Sequence, residues 1–216
     1  MKLKVIKITK ADLDARNFYK GSSSLDVDGS IQIEGGLGCV RFRGFLKAAA
    51  SIAAAAGSGI KAGSGIEAGW GIEAGEGIEA GEGIEAGWGI EAGSGIKAGS
   101  GIKAGEGIEA GSGIEAGWDI EAGEGIEAGW GIEAGSGIKA GSGIEAGFQI
   151  SAKKTISAKL RVFAGLCIWR LPNRSETTIT AQRVEGTVCF GDVKLLAADT
   201  AEAPATAATT ATETES

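Results

Sequence analysis

From Gly57 to Ala146 the chain repeats every six residues, in fifteen consecutive units of the form Gly-x-Gly-Ile-(Glu/Lys)-Ala, and that period decides what it can fold into. Only Asp119, in Gly117-Trp-Asp-Ile-Glu-Ala122, interrupts the glycines. A helix is excluded, because six residues turn it through about 600° and successive isoleucines would drift around its axis. In an extended chain, residues two apart share a side, so Ile and Ala point one way and the charge between them points the other. Ile-Glu-Ala is therefore a short strand with its charge outward. Gly-x-Gly is the corner, where glycine permits backbone angles closed to other residues.

One such strand cannot hold itself together. Burying an isoleucine contributes roughly 1.5–3 kcal/mol, whereas fixing six residues costs on the order of 6–12 kcal/mol. Stacking coil on coil through backbone hydrogen bonds closes that gap, and the expected fold is an all-β parallel β-solenoid. The register continues in weakened form through Ile150, Ile156, Val162 and Ile168. Upstream, Leu25-Asp-Val27, Ile31-Gln-Ile33, Leu37-Gly-Cys39, Leu46-Lys-Ala48 and Ile52-Ala-Ala54 carry the same signature, with phase breaks before Leu46 and Ile60.

The expected organisation is a cap over 1–24, a solenoid over 25–170, a cap or oligomerisation hairpin over 171–196, and a disordered tail over 197–216. Caps are expected because solenoid ends expose unpaired strand edges. Thr177–Val184 and Thr187–Phe190, separated by Glu185-Gly186, read as the hairpin. The tail lacks large apolar residues. Eighteen residues per triangular coil are favoured over a flattened twelve. At that period Glu73, Glu91, Glu109, Glu127 and Glu145 form one column, and the four repeat lysines fall in the other two.

In the hexads the chain resembles hexapeptide-repeat parallel β-helix proteins, a resemblance covering about two thirds of its length. That resemblance implies triangular coils and brings acyltransferase activity into consideration. Those enzymes typically rely on a histidine base, and this chain has no histidine. It also lacks a phosphate-binding loop that opens a helix and a cysteine cluster at metal-ligand spacing. The reading is a non-enzymatic protein with no cofactor and no metal site. Its three cysteines, Cys39, Cys167 and Cys189, are expected as reduced, mostly buried thiols. With no signal peptide or bilayer-spanning run in the sequence, it is expected to be soluble and cytoplasmic.

Function must then lie on the surface, which is unusual in two respects. Within the hexads sixteen acidic residues face four lysines, although the formal charge of the whole chain is −7. Five coils at about 4.8 Å stand about 24 Å tall, so the excess approaches one negative charge per 2 Å, beside about 1.7 Å for duplex DNA. Solubility alone also accounts for such charge. The corner slots add Trp70, Trp88, Trp118 and Trp130, with Phe148 next in the series, as well as Glu76 and Glu124. Exposed tryptophan is enriched at binding hot spots, though an indole folded over neighbouring glycines is the alternative.

The Gly-Trp-Gly-Ile-Glu-Ala-Gly hexads at Gly69–Gly75, Gly87–Gly93 and Gly129–Gly135 are similar to repeats in phage and prophage proteins. That resemblance implies a mobile-element setting. The expected function is binding of a basic, nucleic-acid-binding protein or complex, as a DNA-mimic-like inhibitor of a host defence system. No direct binding of DNA or RNA and no membrane contact are expected. The alternative is a self-assembling scaffold resembling bactofilin-type solenoids, and a homo-oligomer formed through a cap is compatible with either reading.

Overall fold

The computed structural model describes residues 4–167 and 170–198. They form a parallel β-solenoid of about nine turns, almost without helix, with coils of about eighteen residues. Each turn lays one strand on each of three faces. The first face contains Ile72–Ala74, Ile90–Ala92, Ile108–Ala110, Ile126–Ala128 and Ile144–Ala146; the second includes Ile78–Ala80 and Ile96–Ala98; the third includes Ile84–Ala86 and Ile102–Ala104. Every strand pairs in register with the one a full coil away, so Ile90 meets Ile72 and Ile108, and Ala92 meets Ala74 and Ala110. The repeat isoleucines are 0–1% exposed and form one continuous core with the alanines.

The two corner glycines serve different purposes. A methyl group on the first, such as Gly105, would overlap the carbonyl oxygen of Gly87 one coil below. On the second the nearest atom is farther away, 3.2 Å at Gly101 and 3.6 Å at Gly107, so a side chain there needs at most a small shift of its neighbour. Asp119 occupies a second-glycine slot, and its carboxylate accepts a 2.7 Å hydrogen bond from the Gly137 amide of the next coil. The one interruption in the repeat therefore falls where a side chain fits.

The stack is longer than 25–170. Lys4–Ile8 already pairs in parallel with Gly29–Ile33 on the first face, and Thr178–Ala181 and Asp192–Leu195 extend the second face at the other end. The hairpin expected over 177–190 does not form. Arg183–Phe190 is one strand, parallel to Thr155–Ala164, and Glu185-Gly186 lies inside it. Gly186 has φ +116°, and a side chain there would strike the Ala158 oxygen, so this glycine permits close stacking rather than a reversal. Both long strands cross the corner between the third and first faces without a break, which fuses those faces into one sheet.

The phase breaks also have a place. Glu34–Gly38 and Ala55–Ser58 are insertions at the corner between the first and second faces, and the described residues between Ala164 and Thr178 occupy the same corner. Gly36, Gly38 and Gly57 take left-handed φ of 73°, 66° and 73° there. Ser58, in the variable corner slot of the first hexad, is buried; its hydroxyl donates to the Glu34 oxygen at 2.6 Å and accepts from the Leu37 amide. The insertion moves the hexad by an odd step, so the inward residues on this strand are Val40 and Phe42, paired with Ile60 and Ala62. Cys39 consequently faces solvent. Cys189 is exposed as well, Cys167 is half-buried and all three are free, so the expectation of mostly buried thiols fails. The continuation at Ile168 and most of the expected tail, from residue 199 onward, lie outside the described residues.

Candidate functional site

The five glutamates meet as expected. On the first face Glu73, Glu91, Glu109, Glu127 and Glu145 are consecutive in-register partners, with Ala53 before them and Phe163 after. At about 4.8 Å per coil, the column spans about 19 Å. Among the described residues no lysine or arginine forms an ion pair with Glu73, Glu91, Glu109 or Glu127; Arg161 reaches Glu145 at 3.0 Å and closes the C-terminal end. Desolvation between its neighbours, then the charges of Glu109 and Glu145, raise the pKa of Glu127 above the usual carboxylate range.

The other two faces are organised differently. On the second, Lys61 pairs with Glu79 at 2.5 Å and Lys97 with Glu115 at 2.7 Å. On the third, Lys47 pairs with Glu67 at 2.8 Å and Lys139 with Glu121 at 2.9 Å, while Lys103 lies 3.9 Å from Glu85. All four repeat lysines thus sit beside a glutamate of a neighbouring coil, and none lies on the first face. Hydrogen bonds donated by Lys47 to Glu67 and by Lys97 to Glu115 raise the pKa values of the two lysines.

The corners flanking the first face add to its charge. Backbone hydrogen bonds stack Trp70, Trp88, Glu106, Glu124, Ser142 and Leu160 in order along one flank. Glu76, Ser94, Ser112, Trp130 and Phe148 follow one another along the other. Glu106 was not among the sequence candidates, although its eighteen-residue offsets from Trp88 and Glu124 place it between them. Column and flanks together present eight carboxylates in about 19 Å of axis, approaching one per 2.5 Å. The face is an open channel of about 800 Å³, lined by the five column glutamates with Glu106 and Trp88 on its rim. The second and third faces are concave too, at about 580 and 500 Å³, so charge rather than shape sets the first apart.

The tryptophans do not form one patch. Trp70 and Trp88 stack face to face on the first flank, 5.3 Å apart and 6° from parallel, and stay 40% and 52% exposed. Trp130 packs edge-on against Phe148 at 6.2 Å, and Arg170 covers the Phe148 ring at 4.6 Å, a local cluster on the opposite flank. Trp118 projects from the third corner, between the second and third faces, beyond the acidic channel.

Among the described residues no group of three or more Cys, Asp or Glu is placed to hold a metal ion. No helix among them is long and apolar enough to cross a membrane. Neither a family model, nor a curated protein, nor a solved structure matches the chain.

Proposed function

We propose that this protein is a non-enzymatic inhibitor whose acidic first face occupies the nucleic-acid-binding surface of a basic protein or complex. The observation that carries the reading is the sorting of charge. Solubility is served equally well by the Glu–Lys ladders of the second and third faces. The first face forgoes that pairing, stacks like charges and raises the pKa of Glu127, an unfavourable arrangement that a cationic partner would relieve. Glu73, Glu91, Glu109, Glu127 and Glu145 supply the track, with Glu76, Glu106 and Glu124 as its borders. Trp70 and Trp88 supply an aromatic anchor at one end. Trp130 is committed to Phe148, and Trp118 faces away, so neither belongs to the same contact. The likeness of the Gly-Trp-Gly-Ile-Glu-Ala hexads to phage and prophage repeats favours a host defence complex, in the host cytoplasm, as the target.

The test is a competition. Immobilised protein is exposed to DNase-treated bacterial lysate, and the captured fraction is assayed for binding a labelled duplex. Free wild-type protein should displace the duplex from that fraction, less effectively as salt rises, and should bind no duplex itself. A variant carrying Glu91→Lys, Glu109→Lys and Glu127→Lys should not displace it. Equal competition by both proteins would remove the acidic face from the function. A self-assembling scaffold is the second reading, and the open C-terminal end of the core is what favours it.

A further inference from the structure

We propose that the C-terminal end of the solenoid is a homodimer interface that joins two copies tail to tail. This inference is independent of any role for the acidic face. Among the described residues, Arg183–Phe190 pairs only with Thr155–Ala164, and Asp192–Leu195 only with Thr178–Ala181, so all three faces end in an open edge. The core ends there uncovered as well. Val193 and Leu195 hold the inward positions above Ile179 and Ala181. The lower pair is 0% exposed, whereas Val193 is 46% and Leu195 64% exposed, because no coil is stacked on them. Leu196, whose amide donates to the Ala181 oxygen, continues the same edge and is 37% exposed. Bare parallel edges over an open core are a ready template for another chain.

At the other end the core is covered, with Ile8, Val27 and Phe42 all buried. The segment from Thr9 to Ser24 folds over it, burying Leu13 and setting Tyr19 5.7 Å from Phe42. Its backbone takes up the edge of Gly38–Phe42, with the Tyr19 amide donating to the Arg41 oxygen and the Arg41 amide to the Asn17 oxygen. A head-to-tail filament would have to displace that segment. The same end of a second copy, related by a two-fold axis, presents the same bare edges and uncovered Val193 and Leu195, and joining the two closes the assembly at two chains.

A two-fold makes the joined strands antiparallel, and the terminal charges suit that arrangement. Asp192 and Lys194 flank Val193 at outward positions. An antiparallel register centred on Val193 sets Asp192 against Lys194 of the partner subunit, twice over.

The test is sedimentation velocity of the full chain across the micromolar range. A two-chain species that grows no longer with concentration is expected. Leu195→Lys should weaken dimerisation at least tenfold while leaving the circular dichroism spectrum and melting transition of the monomer in place, because the side chain lies outside the packed coils. Asp192→Lys or Lys194→Asp alone should weaken it several-fold, and the two together should restore it. A monomer at every concentration, or filaments that lengthen with concentration, would overturn the proposal. So would a dimer indifferent to Leu195→Lys and to the charge exchange.

Discussion

The first face and the other two share the same inward Ile and Ala and the same parallel register, and differ in what each outward charge meets one coil away. On the second and third faces a glutamate meets a lysine often enough to build ladders such as Lys97–Glu115 and Lys139–Glu121. On the first, five glutamates follow one another and meet in four successive pairings. An in-register stack forces each outward residue against its own repeat, so charge must either alternate along a column or accumulate there. Position modulo eighteen, and not composition, decides which.

The comparison can be broken most severely at the core. Ile108 on the acidic face and Ile102 on the third are both 1% exposed. Ile108→Asp and Ile102→Asp should therefore each destabilise by about 4 kcal/mol or more and abolish the cooperative melt, since each strands a charge in the packed interior. Tolerance of one but not the other would mean that the faces differ inside as well as outside.

Next in size is a contrast between charge reversals. Glu91→Lys, Glu109→Lys and Glu127→Lys together should weaken competition for the captured basic fraction by about 3 kcal/mol or more. The equivalent triple reversal at Glu67, Glu85 and Glu121 on the third face should leave it nearly unchanged, as a duplex-displacement titration would reveal. Replacing Trp70 and Trp88 by Ser should weaken the same competition by about 2 kcal/mol. The fold should lose little more than the stacked pair, about 1 kcal/mol.

Smaller effects should separate the ladders from the column. Lys97→Gln should lower stability by about 0.5 kcal/mol, a melting shift of about 1–2 °C that disappears in high salt. Smaller still is a pH effect of opposite sign at two glutamates. Glu127 titrates above its unfolded value, so the native state holds its proton more tightly and stability should rise as pH falls through that raised value. Glu176 titrates at about 2, held down first by Arg170 and then by the Asn173 amide, so its contribution is present above the usual carboxylate pKa and is lost as pH falls towards 2. Melting temperature followed from neutral to acid pH should climb slightly and then drop, and Glu127→Gln should flatten the climb.

Much of this was legible because the repeat is so regular. Inward Ile, outward Glu and a five-member column all follow from a six-residue period wrapped three times per coil. The ends were not. Thr177–Val184, Glu185-Gly186 and Thr187–Phe190 have the local pattern of a hairpin, and only the strand beneath, Thr155–Ala164, selects continuation over reversal. The inserted corner at Glu34–Gly38 shifts the alternation by an odd step and turns Cys39 outward, which an apolar pattern alone does not register. The aromatic candidates were grouped by residue type. Their offsets already separate them, since Trp118 and Trp130 are not multiples of eighteen from Trp88.

The coil is also a unit of measurement. Adding or removing one block of eighteen residues lengthens or shortens the acidic track by a single glutamate and about 4.8 Å, leaving both ends of the molecule as they are. Removing Gly123–Ala140 would take Glu127 from the column and set Glu109 directly on Glu145, keeping every remaining strand on its own face. A protein built this way can be re-gauged in whole steps to a cationic surface of a different length, with no new fold to find.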